Sequence, residues 1–217
     1  LALLVEANPD DLINNDLISV LFEIAEKCQN LKASLVLMNL ANCSEKHASL
    51  VLGSGEWMIR GLPKYTETLQ LFLVVFDHQN LRGTIAQNPN FVRFMKKIVI
   101  KLPLPGTITI CTTIIRRIGI DSDLIQRLSE KGFISVFIEN AKMFKDEEKV
   151  ALHSLLLFIH AIASVQFCDE FSGCLKLICN LLKNDPLLSG IASHVVVTLA
   201  KYPVCKEYFI KHNLPEF

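Results

Sequence analysis

The chain has 217 residues, with 22 basic and 22 acidic side chains and a formal net charge of zero. That balance gives no overall electrostatic signal for nucleic acid or an anionic membrane. Hydrophobic residues make up 51% and the mean hydropathy is +0.36, which exceeds what singly amphipathic helices need and suits helices apolar over more than one stripe.

In chain order, apolar periodicity and breakers predict helices near 10–29, 31–43, 45–53, 55–62, 65–77, 79–87, 90–101, 107–119, 121–130, 132–143, 146–164, 166–170, 172–183, 186–201 and 203–211, with another starting at 214. Asn8-Pro9, Gly53-Ser54-Gly55, Asn88-Pro89, Pro103-Leu104-Pro105-Gly106, Asp185-Pro186 and Pro203 all fall between periodic segments. Asp185-Pro186 has the form of a cap followed by proline at the first helical position, and Asp146-Glu147-Glu148 places acids in a first turn. Thr107 to Ile115 is β-branched almost throughout and alternates with period two, a strand signal. Its place in a helical repeat predicts a helix instead, because propensity is worth only tenths of a kcal/mol per residue. Val150 to Cys168 carries no Asp, Glu, Lys or Arg, but His153, Ser154, His160, Ser164 and Gln166 interrupt it, so it is read as a buried helix and not a membrane span.

Two interleaved series recur along these elements. Gly55 to Ile59, Asn90 to Phe94, Gly132 to Phe137, Gly173 to Ile178 and Asn213 to Phe217 align on Trp57, Phe91, Phe133, Cys174 and Leu214, with steps of 34, 42, 41 and 40. Leu35 to Ala41, Leu71 to Asp77, Thr113 to Gly119, Leu157 to Ala163 and His194 to Ala200 align on Asn39, Val75, Arg117, Ala161 and Thr198, with steps of 36, 42, 44 and 37. A period near 40 is that of a helical solenoid. The unit it defines is a short helix, a polar-Gly turn, a second apolar helix and a long third helix ending like Met38-Asn39-Leu40-Ala41-Asn42.

That unit resembles the armadillo repeat, with Asn39-Leu40-Ala41 and Glu130-Lys131-Gly132-Phe133 as the best local matches and a HEAT-like array as the near alternative. The resemblance implies an all-α, right-handed superhelical solenoid of about five three-helix repeats, a single domain over residues 1–217. Both ends then read as cuts within the array, so that the chain is a fragment of a larger protein. The resemblance also implies a concave groove of third helices that receives an extended peptide or a helical segment of a partner protein.

In armadillo proteins that hold extended peptides, an Asn ladder on successive third helices pairs with the ligand backbone; here only Asn39 keeps it. Asn39 is therefore a groove candidate or a locally bonded helix amide. Arg116 and Arg117 form the one adjacent basic pair in a third helix, pointing about 100° apart. Arg117, in the ladder register, would take a partner carboxylate or a salt bridge to Asp121 or Asp123. His153 and His160 share a face at a spacing of seven, and His194 aligns with them in the next third helix, making a polar groove stripe or a pH switch. Seven positions are too far apart for two ligands on one ion, so no metal or other cofactor is implied.

Lys96, Lys97 and Lys101 read as the solvated face of a second helix, with phosphate contact as the alternative. Cys28, Cys43, Cys111, Cys168, Cys174, Cys179 and Cys205 are an odd set without CxxC spacing and mostly lie in apolar helices. They indicate free thiols in a reducing intracellular compartment, cytoplasm or nucleus, which makes the sequon Asn42-Cys43-Ser44 incidental. No GxSxG, phosphate loop, HExxH or Rossmann glycine pattern is present. The expectation is a non-catalytic interaction scaffold with a protein partner, no small-molecule substrate, and neither nucleic acid nor membrane. The alternative is a structural module that self-associates through its open repeat ends.

Overall fold

The computed structural model describes residues 15–27, 31–53, 65–144 and 149–212, and among them there is helix and no strand. The helices are α1 (Asn15–Lys27), α2 (Leu31–Cys43), α3 (Glu45–Gly53), α4 (Tyr65–Asp77), α5 (Gln79–Gln87), α6 (Phe91–Lys101) and α7 (Pro105–Ile118). They continue with α8 (Ser122–Glu130), α9 (Phe133–Met143), α10 (Lys149–Ala163), a 3-10 segment (Asp169–Cys174), α11 (Leu175–Asn184), α12 (Ser189–Leu199) and α13 (Pro203–Lys211). The all-α expectation holds. The helix expected near 55–62, the acids 146–148 and the start expected at 214 lie outside the described residues. None of the described helices is long and apolar enough to cross a membrane.

The stretch 107–115 is the clearest case of context overruling local preference. It lies within α7, where Thr109 donates to the Pro105 carbonyl at 3.2 Å and Thr113 to the Thr109 carbonyl at 2.9 Å, so two hydroxyls are absorbed by the helix backbone. Thr112 donates instead to the carbonyl of Ser154 at 3.2 Å, and the Thr109 and Ser154 hydroxyls meet at 3.0 Å. Ile108, Cys111, Ile114 and Ile115 are fully buried between these polar contacts. The alternation of Thr and Ile thus serves two helix faces and not two faces of a sheet.

Helix starts near 166–189 fall later than expected, that of α11 at Leu175 instead of 172 among them. Asp185 does cap, but its carboxylate accepts from the amides of Leu187 (2.9 Å) and Leu188 (3.1 Å), closing a turn over 186–188 before α12 begins at Ser189. The helix expected at 166–170 is a 3-10 segment over Asp169–Cys174, with Phe171 buried beneath it and in edge contact with Phe167. Other ends follow ordinary capping. The Asp121 carboxylate accepts from the Leu124 amide at 2.7 Å, and the Ser44 hydroxyl accepts from the His47 amide at 3.3 Å. Gly132, at φ 63, turns the chain from α8 into α9 in the left-handed conformation that glycine tolerates.

The described residues group into two compact units, 1–98 and 99–217. In the first, α2 packs on α1, α3 and α4, and α5 packs on α3 and α4. Its core is aromatic at one end: Phe72 and Phe94 ring centroids lie 4.7 Å apart, and Phe76 meets Phe91 edge-on at 6.3 Å.

In the second unit, α10 lies between α7 and α12, with α9 packed on α7 and α10 and α11 packed on α12 and α13. Phe158 of α10 is fully buried against Phe137 at 4.3 Å and Phe133 at 6.1 Å, both from α9. α10 buries Leu152, Leu155, Leu156, Phe158, Ile159 and Ile162, as a helix covered on several sides must. Of the described cysteines, Cys111, Cys168, Cys174, Cys179 and Cys205 are buried and Cys43 is exposed, all as free thiols. Burial pushes Cys168 up to about 12 and Cys174 and Cys205 up to about 11. These thiols therefore stay protonated and act as small hydrophobes.

Candidate functional site

The candidate site is the outer face of α7, α10 and α12 in the second unit. These three helices are PGTITICTTIIRRI, KVALHSLLLFIHAIA and SGIASHVVVTL, and none contains Asp or Glu. In a chain of zero net charge, a layer of three adjacent helices without a carboxylate is a local asymmetry. Arg116 and Arg117 sit in the last turn of α7 and His160 in the last turn of α10, where the negative end of each helix dipole favours cations.

Packing α10 between α7 and α12 brings cations from all three helices together. The rings of His160 and His194 meet edge-on, with centroids 6.5 Å apart. His160 is held below its ordinary value of 6.5, first by partial burial and then by His194, Arg116 and Lys201. A group desolvated among three basic neighbours is driven to its neutral form at pH 7. Arg116, His194 and Lys201 are exposed and His160 is half-buried, so the cluster faces solvent. Apolar side chains accompany it: Val197, 46% exposed, follows His194 by three positions, and half-buried Leu157 precedes His160 by three.

The two expected histidines are therefore neighbours, although the repeat alignment sets His194 opposite Leu157, three positions before His160. Arg116 is the arginine acting on His160; Arg117, the ladder residue, is exposed beside it. The two aspartates considered as partners of Arg117 have roles in α8, Asp121 as its cap and Asp123 in an ion pair with Arg127 at 3.1 Å. His153 is exposed two turns before His160 on α10. Asn39 belongs to the first unit, half-buried in α2, with its carbonyl accepting from the Cys43 thiol at 3.1 Å. Within the ladder register, Val75 and Thr198 are buried, and Thr198 donates to the His194 carbonyl at 2.9 Å. Those two positions point into the core and offer a ligand nothing.

Lys201 had not been singled out from sequence. The signal was available, because it follows His194 by seven positions and so returns to the same side of the chain just beyond α12. Also unforeseen were paired bonds at equivalent places. Lys142, near the end of α9, donates to the Gly173 carbonyl at 2.6 Å, and Lys183, near the end of α11, to the His212 carbonyl at 2.9 Å. The residue following α4, His78, donates to Ala41 in the last turn of α2 at 2.8 Å. Tyr202, just beyond α12, donates to Ala163 at the end of α10 at 2.7 Å. Each donates to a carbonyl of another element, and for Ala41 and Ala163 that carbonyl lies in the last turn of a helix that cannot itself satisfy it.

Elsewhere, a cleft of about 300 Å³ in the first unit is lined by Ser49, Leu52, Leu81, Thr84, Ile85 and Asn88. It has no acid, base or nucleophile beyond hydroxyls, which gives it no means of proton transfer. Among the described residues, no group of three or more His, Cys, Asp or Glu is placed to hold a metal ion. No family model, curated protein or solved structure matches this chain.

Proposed function

We propose that the chain is an armadillo-like array of three-helix repeats acting as a non-catalytic scaffold, with its third helices presenting a surface to a peptide or helical segment of a partner protein. The observation that carries this reading is the side-by-side order of α7, α10 and α12, the three helices that the 40-residue period predicts to be successive third helices. In the first unit α2 and α4, also predicted third helices, pack on each other. The recurrence of His78 with Ala41 and Tyr202 with Ala163, and of Lys142 with Gly173 and Lys183 with His212, supports a repeated unit linked to its neighbour by the same bonds. A rigid layer of helices pays little ordering cost on binding, so affinity comes from anchors on its surface.

The test is site-specific photocrosslinking in cells, with a crosslinking residue at Leu157 on the third-helix face or at the exposed Lys176 of α11. The scaffold reading expects discrete protein adducts, mapping to one partner segment, from position 157 and not from 176. Equal labelling at both positions, or none at 157, contradicts it.

A further inference from the structure

We infer that the end of this face formed by Arg116, His160, His194 and Lys201 is a proton-coupled docking site for an acidic peptide segment with interspersed apolar residues. The inference rests on the scaffold reading and names the occupant. The charge complementarity is direct: the three helices supply cations and no carboxylate, so nothing within α7, α10 or α12 neutralises the cluster. At the opposite end of this layer, Lys149 at the start of α10 meets Asp185 at 3.0 Å. Val197 and Leu157 give apolar contacts between the cations, which a peptide carrying both acidic and apolar side chains uses and a phosphate backbone does not. Arg116, Lys201 and two histidines at one end of a neutral chain also fall short of the basic stripe that tracks a nucleic acid.

The proton enters through His160. The charged groups around it are Arg116 from α7, His194 from α12 and Lys201 just beyond α12. From α9, also packed on α10, the charged residues are exposed Glu139 and Lys142, the latter bonded to the Gly173 carbonyl. Partial burial first, and then His194, Arg116 and Lys201, hold His160 below its ordinary 6.5 and so neutral at pH 7 in the free protein. A partner carboxylate seated among these groups stabilises the imidazolium, raises its pKa and makes binding take up a proton. By linkage, affinity must then rise as pH falls from about 8 to about 6, while the partner's carboxylates stay ionised.

The experiment uses the full chain with three probes: a synthetic peptide alternating Glu and Leu, a Lys and Leu counterpart, and a uridine oligonucleotide. Binding is followed by fluorescence anisotropy, and each variant's melting curve is recorded. The expected result is selective binding of the Glu peptide, tighter by about threefold to tenfold at pH 6 than at pH 8. Arg116→Glu or Lys201→Glu should weaken it by about tenfold or more, whereas Lys176→Glu on α11 should not. His160→Asn with His194→Asn should flatten the pH profile with folding retained. Preference for the oligonucleotide or the Lys peptide, a flat wild-type pH profile, or equal loss with Lys176→Glu overturns the inference. If the crosslink at Leu157 maps to a partner segment while binding ignores Arg116, Lys201 and His160, the scaffold reading stands and this one fails.

Discussion

Replacing Phe158 with Ala removes the side chain that joins α10 to α9. Phe158 is fully buried, 4.3 Å from the Phe137 ring and 6.1 Å from the Phe133 ring, and Phe133 and Phe137 are themselves inaccessible. A buried Phe→Ala change loses the transfer free energy of the ring and leaves a cavity, together about 3–5 kcal/mol. The upper half of that range applies here, because two aromatic partners lose favourable ring contacts worth about 0.5–1.5 kcal/mol each and helical backbone on both sides resists collapse into the space. Met143→Ala is the matched control: Met143 ends α9 but is 70% exposed, so its loss should stay within about 0.5 kcal/mol. Urea unfolding followed by circular dichroism reads both. A change below about 1 kcal/mol for Phe158→Ala, on the scale where buried Phe→Ala costs at least 3, would mean that α10 is not packed on α9 as described.

Three further outcomes follow from the same contacts. Tyr202→Phe keeps the ring beside Phe167, with centroids 5.1 Å apart, and removes only the bond to the Ala163 carbonyl, so it should cost about 1 kcal/mol, the usual net worth of one hydrogen bond; a neutral result in thermal melts would show that this helix end needs no partner. Native-state alkylation read by mass spectrometry should modify Cys43 and spare Cys111, Cys168, Cys174 and Cys205 until the chain unfolds, and rapid labelling of Cys111 would contradict its burial. Asp185 is held below its ordinary 3.8, chiefly by its bond with Lys149 and also by the amides of Leu188 and Leu187. Its contribution is complete above that value and is lost as pH falls through the lower folded-state value. Acid titration of stability should therefore be shallower in Asp185→Asn than in the parent protein, and identical profiles would refute the link.

Much of the fold was legible because breakers and apolar periodicity agreed: α2, α3, α4, α5 and α13 begin and end where the periodic runs do. Thr107 to Ile115 was legible only through the repeat, since its composition points to a strand. The hydroxyl bonds to Pro105, Thr109 and Ser154 that reconcile it with a helix depend on the neighbouring helix. The delayed start of α12 has a local cause: Asp185 satisfies the amides of 187 and 188, so the chain makes a separate turn before the helix begins. At the candidate site, the repeat placed His160 and His194 on successive third helices. It put Arg117 in the ladder register, whereas the arginine acting on His160 is Arg116, which points about 100° away. The carboxylate-free layer emerges only when α7, α10 and α12 are known to be neighbours, a long-range fact that no single helix encodes.

Acidic-peptide docking at this face requires that α7, α10 and α12 gather basic groups around His160 on an open face. A nuclear magnetic resonance titration of the imidazole protons, with His160 assigned by its substitution to Asn, measures that directly. The free protein should show His160 titrating below 6.5, depressed by partial burial and by His194, Arg116 and Lys201, and moving upward when the Glu and Leu peptide is added. A His160 that titrates at or above 6.5 in the free protein and stays there in the presence of the peptide would contradict both the cluster and its role.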